Sequence, residues 1–227
     1  RTRPAARAAL LPACRGLAPA SCRALAAATR GILRAGPSAI DVAKVEADIR
    51  NCVAGEGRAE VEVIGTNATK DVVRAVLSAE AALAAEGAGR ARLALVPSLG
   101  AEQVDGRRVL HLAIQTAQHV PAAASQELTV AKKSNVGKVA GAIAQRLRQE
   151  HTVFVRGAGA VALRQTLKAI AMARGYLAKE EDKELAGGEL AALPEFREPS
   201  ADEVGLPAEC VFAVMRVAPT WSEKKKK

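Results

Sequence analysis

The chain has 227 residues, 49% apolar and only 2% aromatic, with a net charge of +9. That length and apolar content suit one large or two small cored domains, while no apolar run approaches the ~18 residues of a membrane span and so few aromatics leave almost no stacking platforms for single-stranded bases. Cys14, Cys22, Cys52 and Cys210 show no CxxC spacing and His111, His119 and His151 are scattered, a pattern of reduced packing cysteines with no support for a zinc site or a disulfide scaffold.

Residues 1–30 read as a basic Ala/Arg-rich arm containing Pro4, Pro12 and Pro19, and no acid precedes Asp41. Such a leader resembles a mitochondrial or plastid transit segment; a disordered basic arm or an incomplete start are the alternatives, with cytoplasm or nucleus as the compartment. A first domain is expected over 31–119. Gly31 to Ala35 is its candidate first strand, and Val42, Val45, Ile49 and Val53 mark one helical stripe. Ala59 to Ile64 alternates as a half-buried strand, Gly65 to Asn67 turns, and Val72, Val73, Val76, Leu77 and Leu83 predict a second helix. Ala91 to Val96 reads as a strand closed by Pro97. Val104-Asp105-Gly106-Arg107 is a hairpin signal, and Val109 to Ile114 is the return strand, with His111 a structural residue on the Val109 face.

Residues 120–126 (VPAAASQ) read as a linker, and a second domain is expected over 127–219 before a Lys-rich tail at 220–227. Its strand at Leu128 to Val130 leads through the basic turn Lys132-Lys133-Ser134-Asn135 into a helix marked by Val136, Val139, Ala140, Ile143 and Leu147. A strand at Thr152 to Val155, a Gly-Ala turn and a helix through Leu163, Leu167 and Ile170 follow. Residues 127–179 carry ten Lys or Arg against Glu127 and Glu150, whereas 180–209 carry ten acids against Lys183 and Arg197.

The order repeats. Sliding residues 42–81 onto 136–175 superimposes Val42 on Val136, Lys44 on Lys138, Ile49 on Ile143, Val61 on Val155 and Gly65 on Gly159 without a gap. Leu95-Val96-Pro97 then matches Ala192-Leu193-Pro194, and Val109 to Ile114 matches Val211 to Arg216. An internal duplication accounts for this.

Lys133-Ser134-Asn135, Val139-Ala140-Gly141-Ala142-Ile143, Gly157-Ala158-Gly159-Ala160, Lys168-Ala169-Ile170-Ala171-Met172-Ala173-Arg174-Gly175-Tyr176 and Leu193-Pro194-Glu195-Phe196 resemble the stage V sporulation protein S family of the Alba superfamily. The resemblance implies an α/β fold: two tandem Alba-like β-α-β-α-β-β domains, each a four-stranded sheet with two helices on one face. In Alba relatives, paired lysines in the turn after the first strand meet nucleic-acid backbone. Lys132 and Lys133 hold that position in the second copy, where the first has Ser38 and Ala39. The second copy also carries an acidic insertion from Glu195 to Pro207.

Lys132, Lys133 and Lys138 cluster at a helix start, where backbone N–H groups and the dipole favour anions. Ser134 and Asn135 suit capping and donation to phosphate. With Arg156, Arg164, Lys168 and Arg174 they form the candidate nucleic-acid site, able to neutralise about three to six phosphates. A solvated basic face is the plainer reading. Gly157 to Ala162 fits GxGxxA, but the acids at Glu180 to Asp182 sit in a loop, so no nucleotide cofactor is expected, and no catalytic constellation is present. The expectation is a non-catalytic binder of RNA or DNA backbone, with a pseudo-dimer between the two copies or a homo-oligomer. The alternative is a structural subunit of a larger assembly such as an organellar ribonucleoprotein.

Overall fold

The computed structural model describes residues 33–36, 40–86, 92–104, 106–117, 127–178, 189–197 and 209–217. The basic arm at 1–30, the turn residues Ser38 and Ala39, the linker at 120–126, the Lys-rich tail and most of the acidic stretch and insertion lie outside these residues.

The described residues form eight strands and four helices: β1 (Leu33–Ala35), α1 (Val42–Glu56), β2 (Arg58–Val63), α2 (Thr66–Ala85), β3 (Arg92–Val104), β4 (Arg107–Ala117), β5 (Glu127–Val130), α3 (Val136–Gln149), β6 (Thr152–Ala158), α4 (Gly159–Leu177), β7 (Glu189–Arg197) and β8 (Glu209–Val217). The order β-α-β-α-β-β thus occurs twice. All strands join one sheet in the order β1-β2-β4-β3-β7-β8-β6-β5, which reads alike from either edge. The outer pairs β1/β2 and β5/β6 are parallel, and the others are antiparallel.

Helix starts follow from capping chemistry. Asp41 accepts from the N–H groups of Ala43 and Lys44, and Asn135 from that of Lys138, each relieving donors that a first helical turn leaves without partners. Gly65 and Gly159, superimposed by the sequence repeat, both have positive φ (99° and 79°) immediately at the starts of α2 and α4. A side chain there would be strained. Buried helix residues such as Ile49, Val72, Ile143 and Leu167 join alternate strand residues such as Val61, Leu95, Val155 and Phe212 in one core. The other parity of the strands (Val96, Ala113, Phe154, Leu193, Met215) forms a separate apolar cluster without helix residues. The helices therefore share one face of the sheet. On β4, Leu110, Leu112 and Ile114 face that core while Ala113 faces away, as the alternation predicted.

Two expectations need correction. Pro97 does not end its strand: β3 continues to Val104, with Pro97 opposite Leu112 and Pro194 likewise opposite Phe212. Each proline keeps one neighbour and lacks a donor for a second, which suits strands whose mutual pairing is short. The β3/β7 pairing is indeed registered only at Leu95↔Ala192, two residues the sequence repeat had already matched. Secondly, Val61 pairs with Leu112 and Val155 with Phe212, so Leu112 corresponds to Phe212. The matching of Val109 to Ile114 with Val211 to Arg216 is out by two residues. A shift of two preserves the faces, so alternation alone could not detect it.

Candidate nucleic-acid interface

The chain leaves β5 at Ala131 and reverses before α3. Ser134 N–H donates to the Ala131 carbonyl (3.0 Å), and Ala131 N–H donates back to Ser134 Oγ (2.9 Å). Lys132 and Lys133 are the two central residues of this turn, so their side chains project from its tip, and both are exposed. From α4, Gln165 Nε2 donates to the Lys132 carbonyl (2.7 Å). Three hydrogen bonds therefore fix the turn's main chain while its ammonium groups stay in water. Lys138, also exposed, stands in the first turn of α3 behind the Asn135 cap. None of these lysines has an ion-pair partner among the described residues, and the helix start adds donors and a positive dipole end.

Ser134 and Asn135 sit here as expected, but both oxygens already accept main-chain N–H groups, which makes them shapers of the turn. Tyr176 borders the same place: its hydroxyl lies 3.8 Å from where a Cβ on Gly137 would stand, and the side chain is exposed.

Of the remaining sequence-predicted cations, Arg156 and Arg174 pair elsewhere and Arg164 is buried. Arg156 lies on β6 with the parity of Phe154, away from the helices, 3.4 Å from Glu209 and 3.9 Å from Glu127. Arg174 pairs with Glu189 (3.2 Å), beside a pocket that includes Ser98 and His111. Arg164 is only 7% exposed. Its Nη1 donates to the Gly65 carbonyl (2.9 Å) and Thr69 Oγ1 (3.0 Å), and its Nη2 to the Arg108 carbonyl (2.9 Å). A guanidinium carries donors in a fixed fork, and here the fork holds three oxygens of the first half, so Arg164 is a bridge within the protein and not part of the exposed surface. Lys168, one helical turn on, is half-buried; desolvation first, then Arg164 and Arg108, hold its pKa below the ordinary lysine value.

Gln165 and Arg108 were not among the expected site residues. Only the position of Arg108 just past the Asp105-Gly106 turn signal hinted at its exposure; nothing in the sequence marked Gln165.

With the turn, its lysines and the β-α-β-α-β-β order in place, the second half can be set against known families. Residues 126–214 match the family model of stage V sporulation protein S (SpoVS). The match takes in β5, the basic turn, α3, β6, α4, β7 and most of β8, and residues 32–117 fall outside it. The SpoVS-like region thus carries Lys132, Lys133 and Lys138 in full, and its mixed α/β architecture agrees with an Alba-like fold.

Elsewhere, no described helix is long and apolar enough to cross a membrane, and no cluster of three or more His, Cys, Asp or Glu among the described residues could hold a metal. Cys210 is buried on β8, which raises its thiol pKa to about 12, and burial raises that of Cys52 as well. Neither thiol is set up as a nucleophile at neutral pH.

Proposed function

We propose that this protein is a non-catalytic binder of RNA or DNA backbone, engaged through the exposed lysine turn of its SpoVS-like half. The observation that carries the reading is the Ala131–Ser134 turn. Its backbone is fixed by three hydrogen bonds while Lys132 and Lys133 stand exposed beside the first turn of α3. A fixed cationic tip suits a phosphate chain without selecting bases. The first half is read as a diverged copy, and the pair as a dimer-like arrangement within one chain. Matching caps at Asp41 and Asn135, matching positive-φ glycines and a sheet order that is the same from both edges support this.

The test is salt-dependent binding of random-sequence duplex and single-stranded RNA and DNA. Lys132→Glu with Lys133→Glu is expected to reduce the log–log salt slope on duplex by about two and to remove most affinity at low ionic strength. If the intact protein retards no polynucleotide in low-salt buffer, the reading is wrong.

A further inference from the structure

The basic turn and the first half meet on one turn of α4. Gln165 holds the Lys132 carbonyl, while its neighbour Arg164 holds the Arg108 carbonyl in the β3–β4 hairpin of the first half. The two main-chain points are thereby fixed within two side-chain lengths of adjacent helix residues. Arg108 is bound through its main chain, and its own side chain is exposed. Lys168 stands one turn further along α4 from Arg164, which is itself bonded to the Arg108 carbonyl; burial first, then the charges of Arg164 and Arg108, disfavour its ammonium form. Neither Arg108 nor Lys168 has a carboxylate at ion-pair distance among the described residues. Cations gathered in this way repel one another, and an anion laid across them relieves that repulsion.

We infer that the polyanion surface does not end at the SpoVS-like half but crosses the junction, running from Lys132 and Lys133 past Lys168 to Arg108 of the first half. Arg164 and Gln165 are the positioning residues of this strip. They hold its two ends in fixed relation and do not themselves meet the ligand. The inference rests on the proposed backbone binding and extends it, because one continuous phosphate chain is bound by both halves together. It also gives the first half a part in binding although its own turn lacks the lysine pair.

The experiment compares Arg108→Ala, Arg108→Glu, Lys168→Met and the Lys132→Glu/Lys133→Glu double variant in the full chain, titrated against one fluorescent random-sequence duplex over a salt series. Arg146→Glu, in the last turn of α3, is the charge-matched control. Because Arg108 meets Arg164 through its carbonyl and not its side chain, side-chain changes there leave the clasp intact, and unchanged thermal melting confirms it. Arg108→Ala and Lys168→Met are each expected to lower the salt slope by about one. Arg108→Glu should lower affinity at least as much as Arg108→Ala, and Arg146→Glu should change little. If the double variant loses binding while the Arg108 and Lys168 variants bind like the parent at every salt concentration, the strip is refuted and the turn remains the whole site. Equal loss from Arg146→Glu would mean that net charge alone is read, which also refutes it. No binding by the parent protein overturns this inference and the proposed function together.

Discussion

Where the second half pairs Arg174 with Glu189, the first pairs Glu80 with Arg92, the same two positions with the signs exchanged. The contrast continues along the junction helices. A shift of 94 residues sets Arg164 against Lys70, yet only Arg164 is buried and reaches across to the other half. The first half reaches back through Arg92, whose Nη2 donates to the Pro194 carbonyl (3.0 Å). Equivalent elements thus hold inequivalent chemistry, and the join is made by different residues from each side.

Breaking the clasp sharpens this contrast most. Arg164→Met removes three charge-assisted hydrogen bonds, leaves the Gly65 carbonyl only its donors from Thr69, and is expected to cost about 2–4 kcal/mol. Lys70→Met, the matched change, is expected to stay within ~0.5 kcal/mol. Urea unfolding of both variants measures the difference, and equal costs would show that Arg164 holds nothing special.

The charge-exchanged pairs come next. Glu80 accepts from the Leu93 N–H (2.8 Å) as well as pairing with Arg92 at 2.6 Å, so Glu80→Ala should cost about 1–3 kcal/mol. Arg174→Ala removes one partly exposed ion pair and should cost about 1 kcal/mol or less. Reversal of that order in chemical denaturation would contradict the assignment.

Gln165→Leu is smaller still. It frees the Lys132 carbonyl from a bond worth about 0.5–1.5 kcal/mol, and polynucleotide affinity should fall about two- to tenfold with melting temperature little changed. A large loss of fold stability would place Gln165 in the core and not in the turn.

The least effect is a pH dependence. The folded pKa of Lys168 lies below its unfolded value, so between the two the unfolded chain binds the extra proton and the group's contribution to stability rises with pH. Below the depressed pKa the charged, crowded ammonium is a small fixed cost. Lys168→Met should therefore be neutral to slightly stabilising near neutral pH and should remove part of any alkaline rise. Proton uptake on polynucleotide binding in alkaline buffer, measured by calorimetry in buffers of different ionisation enthalpy, should also diminish in this variant.

Much was legible in the sequence. Helix stripes at Val42, Val45 and Ile49 and at Val136, Val139 and Ile143, the alternation on β2 and β4, and the glycines at the two helix starts all express local periodicity or dihedral preference. Both travel with the sequence. The basic turn was equally visible, since Lys132, Lys133 and Lys138 are near neighbours in the chain. What the sequence left open was non-local. Arg164, Arg174 and Arg156 stood among the expected phosphate-facing cations, but each has partners within the protein that lie elsewhere in the sequence: the Gly65 and Arg108 carbonyls, Glu189, and Glu127 with Glu209.

The amino-acid order by itself settled where helices and strands begin, though not how far β3 runs past Pro97, which side of each is apolar, and where positive charge collects. Those properties depend on bonds and side chains within a few residues. Only the folded arrangement decided that β3 and β7 join two four-stranded sets into one sheet, and which arginines are neutralised. Edge pairing and charge compensation are contacts between distant parts of the chain, so their outcome depends on which groups the whole topology brings together.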